Sequence, residues 1–422
     1  MKKIVALAVL YYLRFWAKLR LAGFNPRVIG VTGSVGKTST CRAILAILAD
    51  KYSCHYSEHA NSESGIPLDL LGITPLDYSA GDWLRMLILA PLALLKGKPG
   101  YGIYIAEMGV DLPVWPKNMD YLLTILRPEI GVFLNARLVH SENFKNLEEI
   151  AREKGKLIEN LPPRGSAVVN ADDQLAREYS AKCTCKMILY GRAQDANMHI
   201  LDVHSSGQGF SLEFAILDKN YRLNLPGQIL NPGYSEVFLA AIAVGMVMGI
   251  EIKEAISALE RNFRLPPGRM SAISGLYGSI LIDSSYNASK SSVLAALEVL
   301  ATYKDKRKIA LLGDMRELGD AAAGEHGEVA KTAREIADLV LTVGPLTKKY
   351  FPPEIKNFPN SYEAGKYLRE IISKNDVVLI KGSQNTIFLE KAVEMLMAHP
   401  EDADKLLCRR GEFWEKKRNN YN

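Results

Sequence analysis

Residues Val28 to Thr40, V-I-G-V-T-G-S-V-G-K-T-S-T, decide how the rest of the chain is read. Val28, Ile29 and Val31 predict a short buried strand. Glycines at 30, 33 and 36 open a turn, and Lys37-Thr38 begin a helix continuing through Cys41-Arg-Ala-Ile-Leu45. A strand, a glycine turn and a helix in that order make a phosphate-cradling loop. Glycines let backbone N–H groups approach phosphate oxygens, and the helix N-terminus adds positive potential. The lysine reaches the terminal phosphates, and Thr38 can ligate Mg²⁺. The candidate ATP contacts are therefore Thr32, Gly33, Ser34, Val35, Gly36, Lys37, Thr38 and Ser39. The spacing departs from G-x-x-x-x-G-K-[ST], whose first glycine would fall where this chain has Val31.

A length of 422 residues accommodates two or three domains, each with its own core. Apolar content of 48% with 23% charged residues is that of a globular protein. The net charge of +5 gives no reason to expect nucleic acid; anionic small substrates or an anionic membrane surface suit it equally. Five cysteines stand at 41, 54, 183, 185 and 408. Cys183-Thr-Cys185 lacks the two-residue spacer of a redox or zinc pair, so all five are expected as free thiols in a reducing cytosol.

Ile4 to Leu13 is an apolar run of ten, followed by Arg14, Phe15, Trp16, Lys18 and Arg20. It is too short to span a bilayer and carries no cleavage site before the loop begins. A basic, aromatic helix in the membrane interface and a helix packed on the protein's own body both remain open. A second apolar stretch, Trp83 to Leu95, is likewise too short, and basic residues Arg85, Lys96 and Lys98 accompany it.

Strands and helices alternate along the chain, which predicts an α/β protein. Residues 1–25 form an apolar, basic helix, and 26–266 a central P-loop ATPase-like domain with a mostly parallel sheet and a small β-rich edge near 185–226. Residues 267–400 form a Rossmann-like α/β domain, and 401–422 a charged tail, frayed or a solvated helix. The linker is Phe263-Arg-Leu-Pro-Pro-Gly-Arg269, where prolines and a glycine interrupt the helical pattern.

An apolar run Gly102-Ile-Tyr-Ile-Ala ends on Glu107. Carboxyl ends of parallel strands are where such sheets hold ligands, so Glu107 is a candidate metal ligand. His140 follows the strand Ile130–Asn135. Phosphoryl transfer needs cations at the γ-phosphate, so Thr38 and Glu107 suit a first Mg²⁺ and His140 a second. Lys154 lies on a helix whose default reading is a solvated face.

Together, G-V-T-G-S-V-G-K-T, N-S-E-S-G-I-P-L, I-A-E-M-G, V-N-A-D-D, P-P-G-R, D-S-S-Y-N-A-S, L-L-G-D-M-R-E-L-G and L-I-K-G-S-x-x-x-x-x-x-E resemble the Mur ligases from about residue 27 to residue 397. The resemblance is strongest to the branch that adds D-alanyl-D-alanine to UDP-N-acetylmuramoyl-tripeptide in peptidoglycan precursor synthesis. It implies an ATP-dependent amide ligase that activates a carboxylate as an acyl phosphate. Lys37 and Thr38 would hold phosphates and metal, Glu107 and His140 would ligate metal, and Lys154 would be the lysine the family carbamylates to reach the second of two Mg²⁺ ions. Asn61 would lie near the substrate, and Arg269, Asp283, Tyr286 and Asn287 near the nucleotide. Lys381, Ser383 and Glu390 fall in the late motif, where the incoming amino-acid substrate or a closing contact is expected. Closing two such domains over ATP would exclude water from an acyl phosphate.

Three departures accompany the likeness. Nothing ahead of the loop corresponds to the family's N-terminal UDP-substrate domain, so recognition would fall to the central domain, a partner, or a lipid-linked peptide. The His-Asn pair expected at the adenine is Gly233-Tyr234 here, and Ser284, Ser289 and Lys290 replace an Asp, an Asn and a Pro. Alternatives are a ligase for another carboxylate, such as a poly-amino-acid or a cofactor side chain, and a non-catalytic nucleotide-binding regulator at the membrane. Oligomeric state is not legible. The expected location is the cytoplasm, with peripheral contact at the inner membrane face left open.

Overall fold

A computed structural model of the chain describes residues 2–58, 60–137, 144–206, 209–316, 318–383 and 386–419. The chain divides into two compact units: residues 1–203, 212–223 and 233–263, and residues 204–211, 224–232 and 264–422. The division after Phe263 lies inside the Pro-Gly stretch read as a linker.

The first unit opens with α1 (Lys2–Phe24), β1 (Arg27–Thr32), α2 (Lys37–Leu48), β2 (Cys54–Tyr56), α3 (Gly65–Leu71) and α4 (Ala80–Leu92). It continues with β3 (Ile103–Glu107), α5 (Met119–Leu123), β4 (Ile130–Phe133), α6 (Leu147–Glu159), β5 (Ser166–Asn170), α7 (Gln174–Ser180) and β6 (Lys186–Gly191). Then come β7 (Met198–Ser206), β8 (Gly209–Ile216) and β9 (Lys219–Pro226), whose residues 204–206, 209–211 and 224–226 count with the second unit, followed by α8 (Tyr234–Val247) and α9 (Ile252–Asn262). The strand order is β2-β3-β1-β4-β5-β6-β7-β8-β9. Strands β2 through β7 pair in parallel, so the β-rich edge extends the nucleotide-loop sheet. Strands β1, β3 and β4 are buried almost throughout, as parallel strands covered by helices on both faces must be.

On α1, Leu13 and Ala17 are fully buried, and the helix packs on α3 and α4. Its inner face thus answers to the protein's own core. No helix among the described residues is long and apolar enough to cross a membrane. Two cysteines correct the sequence reading: Cys183 and Cys185 are joined as a disulfide. The turn after α7 brings their Cα atoms to 5.4 Å, within bridging range despite the single intervening residue. Cys41, Cys54 and Cys408 are free thiols.

The second unit contains β10 (Ser271–Ser274), β11 (Ile280–Ser284), α10 (Lys290–Ala301), β12 (Arg307–Gly313), α11 (Ala322–Ile336), β13 (Leu339–Val343) and α12 (Pro345–Tyr350). It ends with β14 (Lys356–Phe358), α13 (Ser361–Ile371), β15 (Asp376–Lys381), α14 (Glu390–Leu396), α15 (Ala403–Leu406) and α16 (Glu412–Asn419). The order β10-β11-β15-β12-β13-β14 is parallel except for β10. Two apolar clusters share its strands, one with Leu368 and Val393 and the other with Leu297 and Val329, a doubly covered sheet. The tail is not simply a frayed or solvated end: Leu407, Cys408 and Arg409 are buried.

Candidate active site

The loop after β1 is shaped by two residues that glycine alone suits. Gly33 has φ +154° and Gly36 φ +91°, and a Cβ on Gly33 would lie 2.9 Å from the Leu134 side chain. Gly36 is the N-cap of α2 and no side chain caps that turn, so the helix directs its first amides and its positive end into the loop. Asn135, just past β4, braces the loop. Its Oδ1 accepts from Val35 N at 2.9 Å, its Nδ2 donates to Val35 O at 3.1 Å, and its carbonyl accepts from Ser34 N at 3.0 Å. Lys37 Nζ donates to the Gly33 carbonyl at 2.9 Å and to Ser34 O at 3.4 Å, so the ammonium lies within the loop.

Parallel pairing sets Val31 opposite Glu107, and the carboxylate therefore emerges beside the loop. Thr38 Oγ1 donates to Glu107 Oε2 at 2.9 Å, and Tyr56 OH donates to the same oxygen at 3.1 Å. Asn61 Nδ2 reaches Oε1 at 3.3 Å. Burial, with the Glu107 charge among the lesser causes, pushes the Tyr56 phenol well above its ordinary range, so it stays a donor. The sequence reading missed Tyr56. Its alternation within a three-residue strand carries too little pattern to distinguish a ligand-side tyrosine from a core one.

Lys154 corrects the expectation of a solvated face. On α6 the buried positions Ile150, Ala151, Leu157 and Ile158 bracket Lys154, which is 5% exposed. Their i, i+1, i+4, i+7, i+8 spacing was legible, and it places the lysine on the apolar stripe. Burial first and Lys37 second hold its ammonium down to about 7, with Asp111 and Glu153 pulling the other way. A neutral amine is therefore well populated at neutral pH. His140, the other expected metal ligand, lies outside the described residues.

Mg²⁺ prefers hard oxygen donors and keeps several waters, so it needs few protein ligands beside a phosphate. The Thr38 hydroxyl and Glu107 carboxylate, adjacent at the loop, fit that demand. Among the described residues no group of three His, Cys, Asp or Glu assembles a metal site without such help.

Where the adenine-facing His-Asn was expected, Tyr234 starts α8, and its hydroxyl lies 3.3 Å from Ser39 Oγ. Nearby, Glu236 accepts from Asn170 Nδ2 at 3.0 Å, and burial followed by Asp172 raises its carboxyl above the ordinary value. Glu236 was also missed, because a first-turn glutamate reads as helix-end electrostatics.

In the second unit, the Arg269 guanidinium stacks over the Tyr286 ring at 4.5 Å. Asp283 is fully buried. One carboxyl oxygen accepts from Ser285 N at 3.0 Å, the other has no partner among the described residues, and burial pushes its carboxyl up to about 6. Lys381 Nζ donates to Ser284 Oγ at 3.1 Å and to the Asn287 carbonyl at 2.9 Å. Burial and then Arg269 lower that ammonium to about 7. Ser383 Oγ accepts from Arg316 N at 3.1 Å. Arg269, Asp283, Tyr286, Asn287, Lys381 and Ser383 thus share one end of β11 and β15. Glu390 differs: its carboxylate is engaged by Arg409, at 2.9 Å from Nε, rather than presented to a ligand. Ser289, standing where the family has Asn, caps α10 in a reciprocal box with Ser292.

The sequence matches the Mur ligase middle domain over residues 31–244 and the Mur ligase, glutamate ligase domain over residues 268–384. The chain belongs to the Mur ligase family. Among similar curated Mur ligases, the UDP-N-acetylmuramoyl-tripeptide--D-alanyl-D-alanine ligase of Escherichia coli (strain K12) is 28% identical over 383 residues, covering 88% of this chain and 76% of that protein. The enzyme of that name from Bacillus subtilis (strain 168) is 26% identical, covering 91% and 79%. Among solved structures, the MurF ligase from Thermotoga maritima in complex with ADP aligns with TM-score 0.72 at 24% identity, covering 94% of this chain and 84% of that one. This last likeness shows the Mur ligase fold.

Proposed function

We propose that this chain is an ATP- and Mg²⁺-dependent ligase that joins D-alanyl-D-alanine to the terminal carboxylate of a muramoyl-tripeptide. What supports the reading is the placement of Lys37, Thr38 and Glu107 at one glycine loop, with Lys154 buried and influenced by the Lys37 charge, in a chain with both Mur ligase domains. The relatives' names supply the substrates. Use of ATP and of a UDP-linked peptide supports a cytoplasmic location.

In this mechanism the α2 amides and Lys37 bind the triphosphate and hold its γ-phosphoryl group in line with the substrate carboxylate. A carboxylate oxygen attacks the γ-phosphorus, the bond to the β-phosphate oxygen breaks, and ADP leaves an acyl phosphate. The amine of D-alanyl-D-alanine attacks the acyl carbon. The tetrahedral intermediate loses a proton and expels phosphate, leaving an amide. When bound, Mg²⁺ held by Thr38 and Glu107 neutralises phosphate charge. Tyr56 and Asn61 fix the Glu107 carboxylate toward the loop. Lys154, populated as a neutral amine, has the lone pair that carbamate formation with CO₂ requires; the resulting anion, with His140, would serve a second Mg²⁺. Arg269, Asp283, Tyr286 and Asn287 would serve the nucleotide, and Lys381 and Ser383 the incoming dipeptide.

The test incubates purified protein with ATP, Mg²⁺, UDP-muramoyl-tripeptide and D-alanyl-D-alanine, and scores phosphate release and joined product. Product that requires all four components supports the proposal. Turnover only with a different carboxylate transfers the reading to another Mur-type substrate, and no acceptor-dependent turnover overturns it.

A further inference from the structure

The outer faces of α1 and α4 are apolar. Of the twenty large hydrophobic side chains exposed among the described residues, fifteen lie in segments 5–19, 76–95 and 114–115. On α4 and the turn after it, Leu84, Ile88, Leu92 and Leu95 are 61, 57, 46 and 83% exposed. Their spacing of four, four and three residues draws one stripe along the helix. On α1, Val5, Tyr12, Phe15 and Leu19 are 61, 37, 55 and 43% exposed, again on one face.

The helices lie side by side and run the same way. Tyr12 OH donates to the Leu87 carbonyl at 3.1 Å, and eight residues later Arg20 donates to the carbonyls of Ala93, Lys96 and Gly97. Both turn their inner faces, Leu13 and Ala17 on one and Met86 and Ala90 on the other, into the same core. The two exposed stripes therefore form one continuous strip, about 35 Å long for 23 helical residues. Such a strip exceeds the scattered apolar exposure of an ordinary soluble surface.

Charge decides its occupant. Residues 1–49 contain no acid and include Lys2, Lys3, Arg14, Lys18 and Arg20; residues 83–100 contain no acid and include Arg85, Lys96 and Lys98. With Asp82 the one acid on α4, α1 carries +5 and residues 80–98 carry +2, a sum above the net +5 of the whole chain, so the excess positive charge sits on the two helices and the turn after α4. Arg85 pairs with Asp82, whereas Arg14, Lys18, Lys96 and Lys98 have no acidic partner among the described residues. Arg14 instead packs over the rings of Tyr11 and Trp115, at 5.3 and 5.6 Å, side chains suited to the headgroup level of a bilayer.

We propose that the α1–α4 strip docks the protein on the surface of an anionic phospholipid bilayer, lying in the interface plane with its leucine and aromatic stripes inserted and its lysines at the headgroups. Neither helix is long and apolar enough to cross the bilayer. Apolar insertion and attraction to anionic lipid add together in such helices. The proposal is independent of the ligase reading, because it is read by partitioning and not by turnover.

The test sediments the full chain with vesicles of phosphatidylcholine alone and of phosphatidylcholine with phosphatidylglycerol, at low and high salt. The expected result is partitioning to the anionic vesicles, weakened by salt. A variant combining Phe15→Glu, Ile88→Glu and Leu92→Glu should lower the partition coefficient at least about a hundredfold, with circular dichroism unchanged. Absence of binding to anionic vesicles, or equal binding by the variant, overturns the proposal. So does a wild-type dimer that the variant converts to monomer without any vesicle binding, which would make a second copy the occupant.

Discussion

Thr38 Oγ1 donates to Glu107 Oε2 across 2.9 Å, joining the first turn of a helix to the end of the neighbouring parallel strand. The strand's register and the helix cap each fix one partner, so the pair is set by backbone geometry. Glu107→Gln keeps the shape and one accepting oxygen for Thr38 and Tyr56, but it replaces the other oxygen with a donor and removes the charge that a metal needs. We expect kcat to fall at least about 100-fold with a higher Mg²⁺ requirement, and Tm to change little. Phosphate release titrated with Mg²⁺ checks this, and an unchanged Mg²⁺ dependence would contradict it.

Lys37→Ala removes the cation held inside the loop by Gly33 and Ser34. Turnover should drop by about 10³-fold or more, into the background of a coupled phosphate assay. Retention of substantial activity would dissociate the loop from phosphoryl transfer.

Asn135 contacts both backbone groups of Val35. Asn135→Ala should loosen the loop without touching its charges, raising the KM for ATP by roughly tenfold while kcat falls less. Initial rates at varied ATP separate the two effects.

Lys154→Ala should lose turnover and recover part of it with added formate or acetate, which stand in for the missing carboxylate-like group. Full activity without rescue would remove the carbamate role. Stability should move oppositely. The folded Lys154 titrates near 7 against an ordinary 10.5, so between those values the unfolded chain binds more protons. Wild-type stability therefore rises with pH across that window, and the whole burial penalty applies below about 7. Lys154→Met should gain on the order of 2–4 kcal/mol at pH 6, a gain that vanishes as pH approaches 10. Thermal melts at three pH values test it.

Arg409 and Glu390 form a buried pair in which the guanidinium also serves the carbonyls of Ser285, at 2.7 Å, and Tyr286, at 3.1 Å. Arg409→Met leaves a buried carboxylate whose one remaining cationic partner among the described residues is Arg418, 3.6 Å away, and should cost about 3–5 kcal/mol. Adding Glu390→Met should return most of that loss, as chemical denaturation would show.

The alternation of strands and helices, and the strand ending on Glu107, were legible because each rests on local pattern: β-branched runs, glycine turns and parallel-strand ends. Lys154 is different. Its apolar neighbours at helical spacing were visible, but a lysine's charge argues for solvent unless something shifts its protonation, and that shift depends first on tertiary burial and then on Lys37 arriving from a helix far away in sequence. The Cys183–Cys185 link was hidden for a similar reason, since a turn's geometry is not encoded in a one-residue spacer. Tail residue Arg409 looked solvated until its partner Glu390 came into view. Short pieces such as β10, α12 and β14 offered too few residues for any period to emerge.

Arg409 lies 124 positions beyond Ser285, whose carbonyl it holds. A ribosome making this protein exposes the 283–287 turn long before it can supply that guanidinium, whereas every residue of the first unit precedes position 264. The nucleotide-loop sheet can therefore mature while translation continues, and the second unit must wait for residue 409 to emerge. A premature stop at or before codon 409 would spare the first unit and deprive the second of the guanidinium that holds Ser285 and Glu390.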